Sequence, residues 1–223
     1  VVSGRLHLGG AWPRDLLLSG ELVVDRLRYA RDLDLEKMLL DFRQRVRQPP
    51  RPDEEEWLRL DVHLIGGDDM RVDNNLLRAR LQFVAPPGTR RGRLELVGTN
   101  VRIGLLGAVE VLAGIAYFRG NEYRVTHGVV EFDDRTAIDP HFDFTADTSI
   151  REYRVVARAW GRLGDEGMEG FQLELASEPT LAQADILTLL TFGITSRDLE
   201  RGGSAFTGAG VAAEALLTAS GLD

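Results

Sequence analysis

Cysteine is missing from all 223 residues. That absence excludes thiolate metal centres, a disulfide framework and a cysteine nucleophile together. It is compatible with an oxidising compartment without requiring one. Lysine is nearly missing too: of 27 basic residues only Lys37 is a lysine, which reads as the coding bias of a GC-rich genome. Positive charge as a whole is in deficit. The net charge is -8 and the pI about 5.1, so the basic footprint that nucleic acid demands is lacking, and no nucleic-acid partner is expected. No run approaches the ~20 apolar residues of a membrane helix. The chain begins at Val1 without a charged segment followed by an apolar one. The expectation is a fragment of a longer protein, with any targeting or anchoring segment outside it.

Catalytic signatures are also scarce. The 4 histidines, His7, His63, His127 and His141, form neither HxH nor HExxH. His63 and His127 lie in strand patterns and read as surface or edge positions. Asp139, Asp143 and Asp147 recur at every fourth position, which raises a cation site or a carboxylate pair. In a strand, however, Asp143 and Asp147 fall on the polar face opposite Phe142 and Phe144. "DPHFDFTADTSI" also lacks the glycine and glutamate that an EF-hand loop needs. "GAGVAA", from Gly208, matches GxGxxA, yet "RDLERGGSAF" before it is no strand. Ser204 has no partner constellation and there is no GxSxG. The expectation is a protein that is not an enzyme and holds no metal or cofactor.

What is present is alternation. Leu16, Leu18, Leu22 and Val24 keep period two around Gly20. The rhythm then turns helical at Leu35, Met38, Leu39, Phe42 and Val46, with Asp34 as N-cap. "RQPPRPDEEE", 47–56, closes this leading region (1–56) as a proline-rich acidic surface loop.

Residues 57–176 are almost all strand. Leu58, Leu60 and Val62 alternate with Arg59 and Asp61; Leu77, Leu81 and Phe83 alternate with Arg78, Arg80 and Gln82. The apolar face returns at Leu94, at Val109 and Val111, and at Tyr123, Val125 and Phe132. It closes with Phe142 and Phe144, then Leu173 and Leu175. These are the candidate wall residues. "GGDD", "APPG", "FRGNE", "DDRT" and "LGDEG" read as turns between strands. With arginine and carboxylate on the other face, the pattern predicts an antiparallel sheet wetted on one side. Meander, sandwich, barrel and β-solenoid all fit the spacing. Between Val125 and Val130 the alternation slips, and Gly128 is the expected bulge.

Residues 177–223 change character. "SEPTLAQADILTLLTFG" predicts a helix entered at Pro179 and Thr180 and ended by Gly193. "FTGAGVAAEALLTASG" reads as a second helix of small and apolar residues with a docking face.

Six segments occur together in a recognisable order: "RVDNNLLRARL", "LVGT", "LLGAVEVLAGIAYFRGNEYRVTHGVVEF", "IDPHFDFTADT", "LELASEP" and "ADILTLLTFG". In that order the chain resembles the C-terminal region of the TamB family, in the AsmA-like group, from about Val72 to Gly193. The resemblance implies a β-taco, a long antiparallel sheet folded lengthwise into a U with an apolar interior, carrying one inserted helix and short helices at one end. It implies a periplasmic location in a Gram-negative bacterium, within a full-length protein anchored in the inner membrane. It implies a TamA-like outer-membrane barrel of the Omp85 class as partner. The implied cargo is the acyl chains of phospholipid, with client outer-membrane proteins beside it. Family members continue past "ASGLD" with further strands.

A trough suits such a cargo. At about 0.8 kcal/mol per methylene, a 16-carbon chain costs on the order of 12 kcal/mol to expose to water. A continuous apolar face removes most of that barrier. About a dozen strands at ~4.8 Å spacing would give a trough roughly 55 Å long. The alternative is a chaperone-like scaffold that binds outer-membrane protein strands at a sheet edge by β-augmentation.

Overall fold

The computed structural model describes residues 1–13, 15–30, 55–118, 120–162 and 170–195. The helix expected over 34–46, most of the acidic loop, the "LGDEG" turn and the second C-terminal helix lie outside them. The elements in chain order are β1 (Val2–Ala11), β2 (Asp15–Tyr29), β3 (Leu58–Asp73), β4 (Leu77–Phe83) and β5 (Arg93–Thr99). They continue with β6 (Ile103–Phe118), β7 (Asn121–Asp134), β8 (His141–Ile150), β9 (Tyr153–Arg162), β10 (Gln172–Glu178) and α1 (Gln183–Phe192).

The protein is mainly β: one long sheet with a single helix among the described residues, consistent with a β-taco. The 10-stranded sheet runs β1-β2-β3-β4-β6-β7-β8-β9-β10, with β5 pairing β3 and β6. β4 and β5 therefore lie in tandem in one slot. β4 meets Met70–Asp73 of β3, and β5 meets Arg59–Ile65 of the same strand. On the far side, β6 pairs both. The dozen strands expected from the sequence reduce to nine positions across the sheet, hence eight steps of ~4.8 Å and about 38 Å.

Among the described residues every pairing is antiparallel except β2 with β3, which is parallel. Parallel neighbours need a crossover of a dozen or more residues, and the stretch between Tyr29 and Leu58 supplies it. "GGDD" is not a turn. It lies inside β3, beside a register irregularity between Val24 and Arg26 of β2. The glycines are there for close approach: a Cβ on Gly67 would sit 2.6 Å from the Val24 carbonyl oxygen, and one on Gly66 would touch the Phe83 ring at 3.1 Å. The chain turns instead at Asn74, whose Oδ1 accepts from the N–H groups of Leu76 and Leu77 at 2.9 and 2.8 Å. Asn100 holds the start of β3 in the same manner, accepting from Trp57 and Leu58 N–H at 3.0 and 3.1 Å.

α1 ends as its sequence predicts. Gly193 has φ 71° and its N–H returns to the Leu189 carbonyl. Its start is weak, because Ala182 occupies the N-cap and no side chain caps the first turn.

Candidate functional site

Directly opposed residues in a sheet share a face, so register shows which side chains stand together. Leu58, Leu60, Val62 and Leu64 of β3 face the same way as Leu16, Leu18 and Leu22 of β2. Across β5 the face continues through Leu94 and Leu96 to Leu105 on β6. Across β4 it runs from Met70 to Leu81 to Val111, and from Val72 to Ala79 to Gly114. Phe83 meets Val109, Val109 meets Val130, and Val130 meets Phe142. Leu77, Ala116 and Tyr123 make another row. Phe132 lies opposite Gly107 on that same side. Beyond β8, Phe144 leads to Ala159 and Leu173, and Ala146 to Ala157 and Leu175. Every candidate wall residue read from the sequence thus stands on one face.

That face is only partly covered. Leu58, Leu60, Leu77, Leu81, Phe83, Val109, Val111, Val125, Phe132, Phe142, Phe144 and Leu173 are half-buried. At one end of the sheet Leu6 and Leu8 are 48% and 59% exposed, and Leu27 is 42% exposed. Phe142 is the hub of an aromatic cluster, 6.2 Å from Phe144 and 6.0 Å from Phe171 between ring centroids. Met70, Val72 and Leu105 belong to the face without standing out in the sequence, and Val130, which the alternation does pick out, belongs to it as well. Met70 and Val72 were masked by taking "GGDD" as a turn; Val130 and Leu105 carry the same alternation as their neighbours.

The bulge in β7 is not at Gly128. Register with β8 shifts between Val125 and His127, so Thr126 is the extra residue. β6 carries a matching irregularity: Arg80 and Leu81 pair with Ala113 and Val111. Because both strands gain a residue together, β6 and β7 stay in step, and Val125 and Phe132 keep the same face. Gly128 has a different reason. A Cβ there would lie 2.8 and 2.9 Å from Cδ1 and Cε1 of Phe144 and 2.9 Å from Cγ2 of Val111.

At the β7–β10 end the face is closed by α1. Ile186, Leu189 and Leu190 pack on Tyr123, Val155 and Leu175 into a buried core, with Ala116, Ala146 and Ala157 beneath. Tyr123 and Leu175 are therefore core under a helix, not open wall. Asn121 Nδ2 donates to the Leu190 carbonyl at 3.1 Å. The Tyr123 hydroxyl is buried, which pushes its pKa up, and hydrogen bonding with the neighbouring Asn121 side chain opposes that shift.

The other face is a ladder of ion pairs. The period-four aspartates meet period-four arginines: Asp147 with Arg154 at 3.1 Å, Asp143 with Arg158 at 2.8 Å, Asp139 with Arg162 at 3.0 Å. Their spacing serves cross-strand pairing between β8 and β9. The Arg158 hydrogen bond holds the Asp143 carboxyl below its ordinary range, and Arg78 does the same for Asp73. Among the described residues no group of His, Asp and Glu is arranged to hold a metal ion. No helix among them is long and apolar enough to cross a membrane.

Such a face offers non-directional apolar contact over many strands and few polar groups for selecting a headgroup or orienting a reaction. A family model described as TamB C-terminal domain matches residues 1–222. No curated protein matches the chain.

Proposed function

The chain belongs to the TamB C-terminal domain family, and we propose that, within the translocation and assembly module of the Gram-negative envelope, it acts as a lipid conduit. Phospholipid acyl chains lie along its apolar face on their way between inner and outer membranes, with headgroups left in water. The segment works in the periplasm beside a TamA-like barrel of the Omp85 class and supports outer-membrane protein assembly. It makes and breaks no bond. One observation carries this reading: a register-continuous apolar face across the strands on which Leu60, Leu81, Phe83, Val109 and Phe144 are only partly buried, although Val62, Met70 and Leu94 among them are covered. A closed core would hide them all, and leaving part of them open to water costs roughly 25 cal/mol per Å².

The test is charge placed on the path. Leu60→Arg, Leu81→Arg and Val109→Arg stand on half-buried positions of the face. We expect each to leave the circular dichroism spectrum unchanged while phospholipid co-purifying with the protein, read by mass spectrometry, falls. Normal lipid content and normal transfer in folded arginine variants would sink the proposal.

A second reading rests on the two edges of the sheet. Among the described residues β1 and β10 each pair on one side only, and β1 is exposed along almost its whole length. Such an edge can take an incoming strand from an unfolded outer-membrane protein. Backbone N–H groups alternate in direction, so one of Arg5→Pro and Leu6→Pro removes an outward donor. If strand capture is the function, that variant loses client binding while the arginine variants retain it.

A further inference from the structure

The ion-paired side of the sheet is not evenly paired. Between β8 and β9 no two arginines stand directly opposite. Across β2, β3 and β4 they do: Arg28 faces Arg71, and Arg71 faces Arg80. Like charges in direct cross-strand register destabilise a sheet, so this row costs stability as it stands. The flanking carboxylates offset only part of it. Asp69 is shared by Arg26 and Arg71, and Asp73 by Arg28 and Arg78. Arg80 has no hydrogen bond or ion pair among the described residues, and neither has Arg124, two strands along on β7. Arg124 stands opposite Asp147, whose carboxylate is held by Arg154 at 3.1 Å. Glu122 is a further carboxylate nearby, and it acts on Arg78.

The surplus surrounds a cavity. Arg71, Arg78, Arg80 and Arg124 line a space of about 530 Å³ around Ala113, the small residue opposite Arg80. The doubled irregularity accounts for the room. Leu112 and Thr126 are the extra residues of β6 and β7, and such bulges raise the local twist and re-aim side chains. Leu112 is 50% exposed and lines the same cavity.

This chemistry selects a ligand. A guanidinium presents a planar fork of donors that matches phosphate oxygens bidentately. Leu112, Ala113 and Ile115 offer apolar contact to the carbon part of an ester. We propose that the cavity is a binding site for a phosphate ester, gripped by Arg80 and Arg124 with its organic part against Leu112. The bound anion offsets the repulsion along Arg28, Arg71 and Arg80. The site lies on the side opposite the apolar face, so it stands or falls independently of the conduit reading.

The experiment is calorimetric titration of the full chain with glycerol 3-phosphate at low salt, beside flotation on phosphatidylglycerol-containing and pure phosphatidylcholine vesicles. Arg80→Gln and Arg124→Gln should each weaken glycerol 3-phosphate binding roughly tenfold, the loss of one charge-assisted contact. Arg158→Gln makes the same charge change on the β8–β9 ladder and should leave binding within about twofold. Without ligand, Arg80→Gln should melt no lower than the parent, because it relieves a like-charge row. Arg80-dependent binding to the phosphatidylglycerol vesicles supports the site and makes a lipid headgroup the source of the ester; binding of glycerol 3-phosphate alone supports it with a soluble source. Absence of binding to both overturns the proposal. Equal weakening by Arg158→Gln also overturns it, since attraction would then follow charge anywhere on this side. A hexaglutamate peptide that binds through Arg80 where neither phosphate probe does overturns it in favour of an acidic protein partner.

Discussion

Gly128→Ala isolates one steric relation in the apolar face. The residue is buried, and its backbone is not left-handed, so alanine brings no conformational penalty of its own. The added Cβ would meet Phe144 Cδ1 at 2.8 Å, Cε1 at 2.9 Å and Val111 Cγ2 at 2.9 Å. Carbon atoms prefer ~3.5–4.0 Å, so three contacts are each short by roughly 0.6 Å or more. Overpacking of this kind costs about 1–3 kcal/mol. Phe144 stands on a half-exposed face and its ring can tilt outward, which puts the expected loss near the lower end, about 1 kcal/mol, and the fall in Tm at roughly 2–4 °C. Phe144→Ala removes the obstructing ring. In the double variant the cost of Gly128→Ala should fall to what the Val111 Cγ2 contact leaves, giving a coupling of roughly half to 1 kcal/mol in a denaturant-melt cycle. If Gly128→Ala is neutral, or if its cost is unchanged when Phe144 is alanine, the glycine is not explained by the ring.

Other perturbations have defined outcomes. Leu189 is fully buried at 0% exposure, so Leu189→Ala should cost about 2–5 kcal/mol by denaturant melt, and an unchanged midpoint would remove α1 from the core. Asn100→Ala frees the Trp57 and Leu58 N–H groups, and a loss of about 1–2 kcal/mol with faster amide exchange at those residues is expected. Arg158→Ala tests the ion-pair ladder. The Asp143 pKa is lowered in the folded protein, so the pair's contribution is present above the ordinary value of about 3.8 and lost as pH falls through the lowered one. The variant should be slightly weaker at neutral pH, the pair being exposed and screened by solvent, and equal to the parent in strong acid. A deficit that persists in acid would mean Arg158 acts through packing, such as its contact with the Trp160 ring 4.9 Å away.

Much of the face was readable because alternation is a local property. Leu58, Leu60 and Val62 declare their side of β3 without any partner, and Phe142 and Phe144 do the same on β8. Register across strands then follows for hairpins with short turns, such as β6 into β7 at Phe118 and Asn121. What stayed hidden depends on contacts distant in sequence. Nothing local in β2 says that its partner is β3 in parallel, nor that β4 and β5 share one slot. The bulge was half readable. Val125 and Gly128 share a face at an odd separation, which requires one extra residue between them, but parity does not say whether it is Thr126 or His127. Glycine drew the assignment because glycine often marks bulges; here it marks the approach of a ring from the next strand. The burial of Tyr123 and Leu175 was equally invisible, since it comes from α1 folding back over β7, β9 and β10 together.

From β6 to β10 each strand pairs with the one before it in the chain. Such an array is close to one-dimensional in its interactions. A chain delivered with its amino end first would find, for every new strand in this stretch, a pairing edge already formed, so assembly could keep pace with delivery. The same order lets a hairpin be added or removed there without rewiring its neighbours, so the reach of the sheet can change by whole hairpins while its ion-paired side and its oily side keep their places.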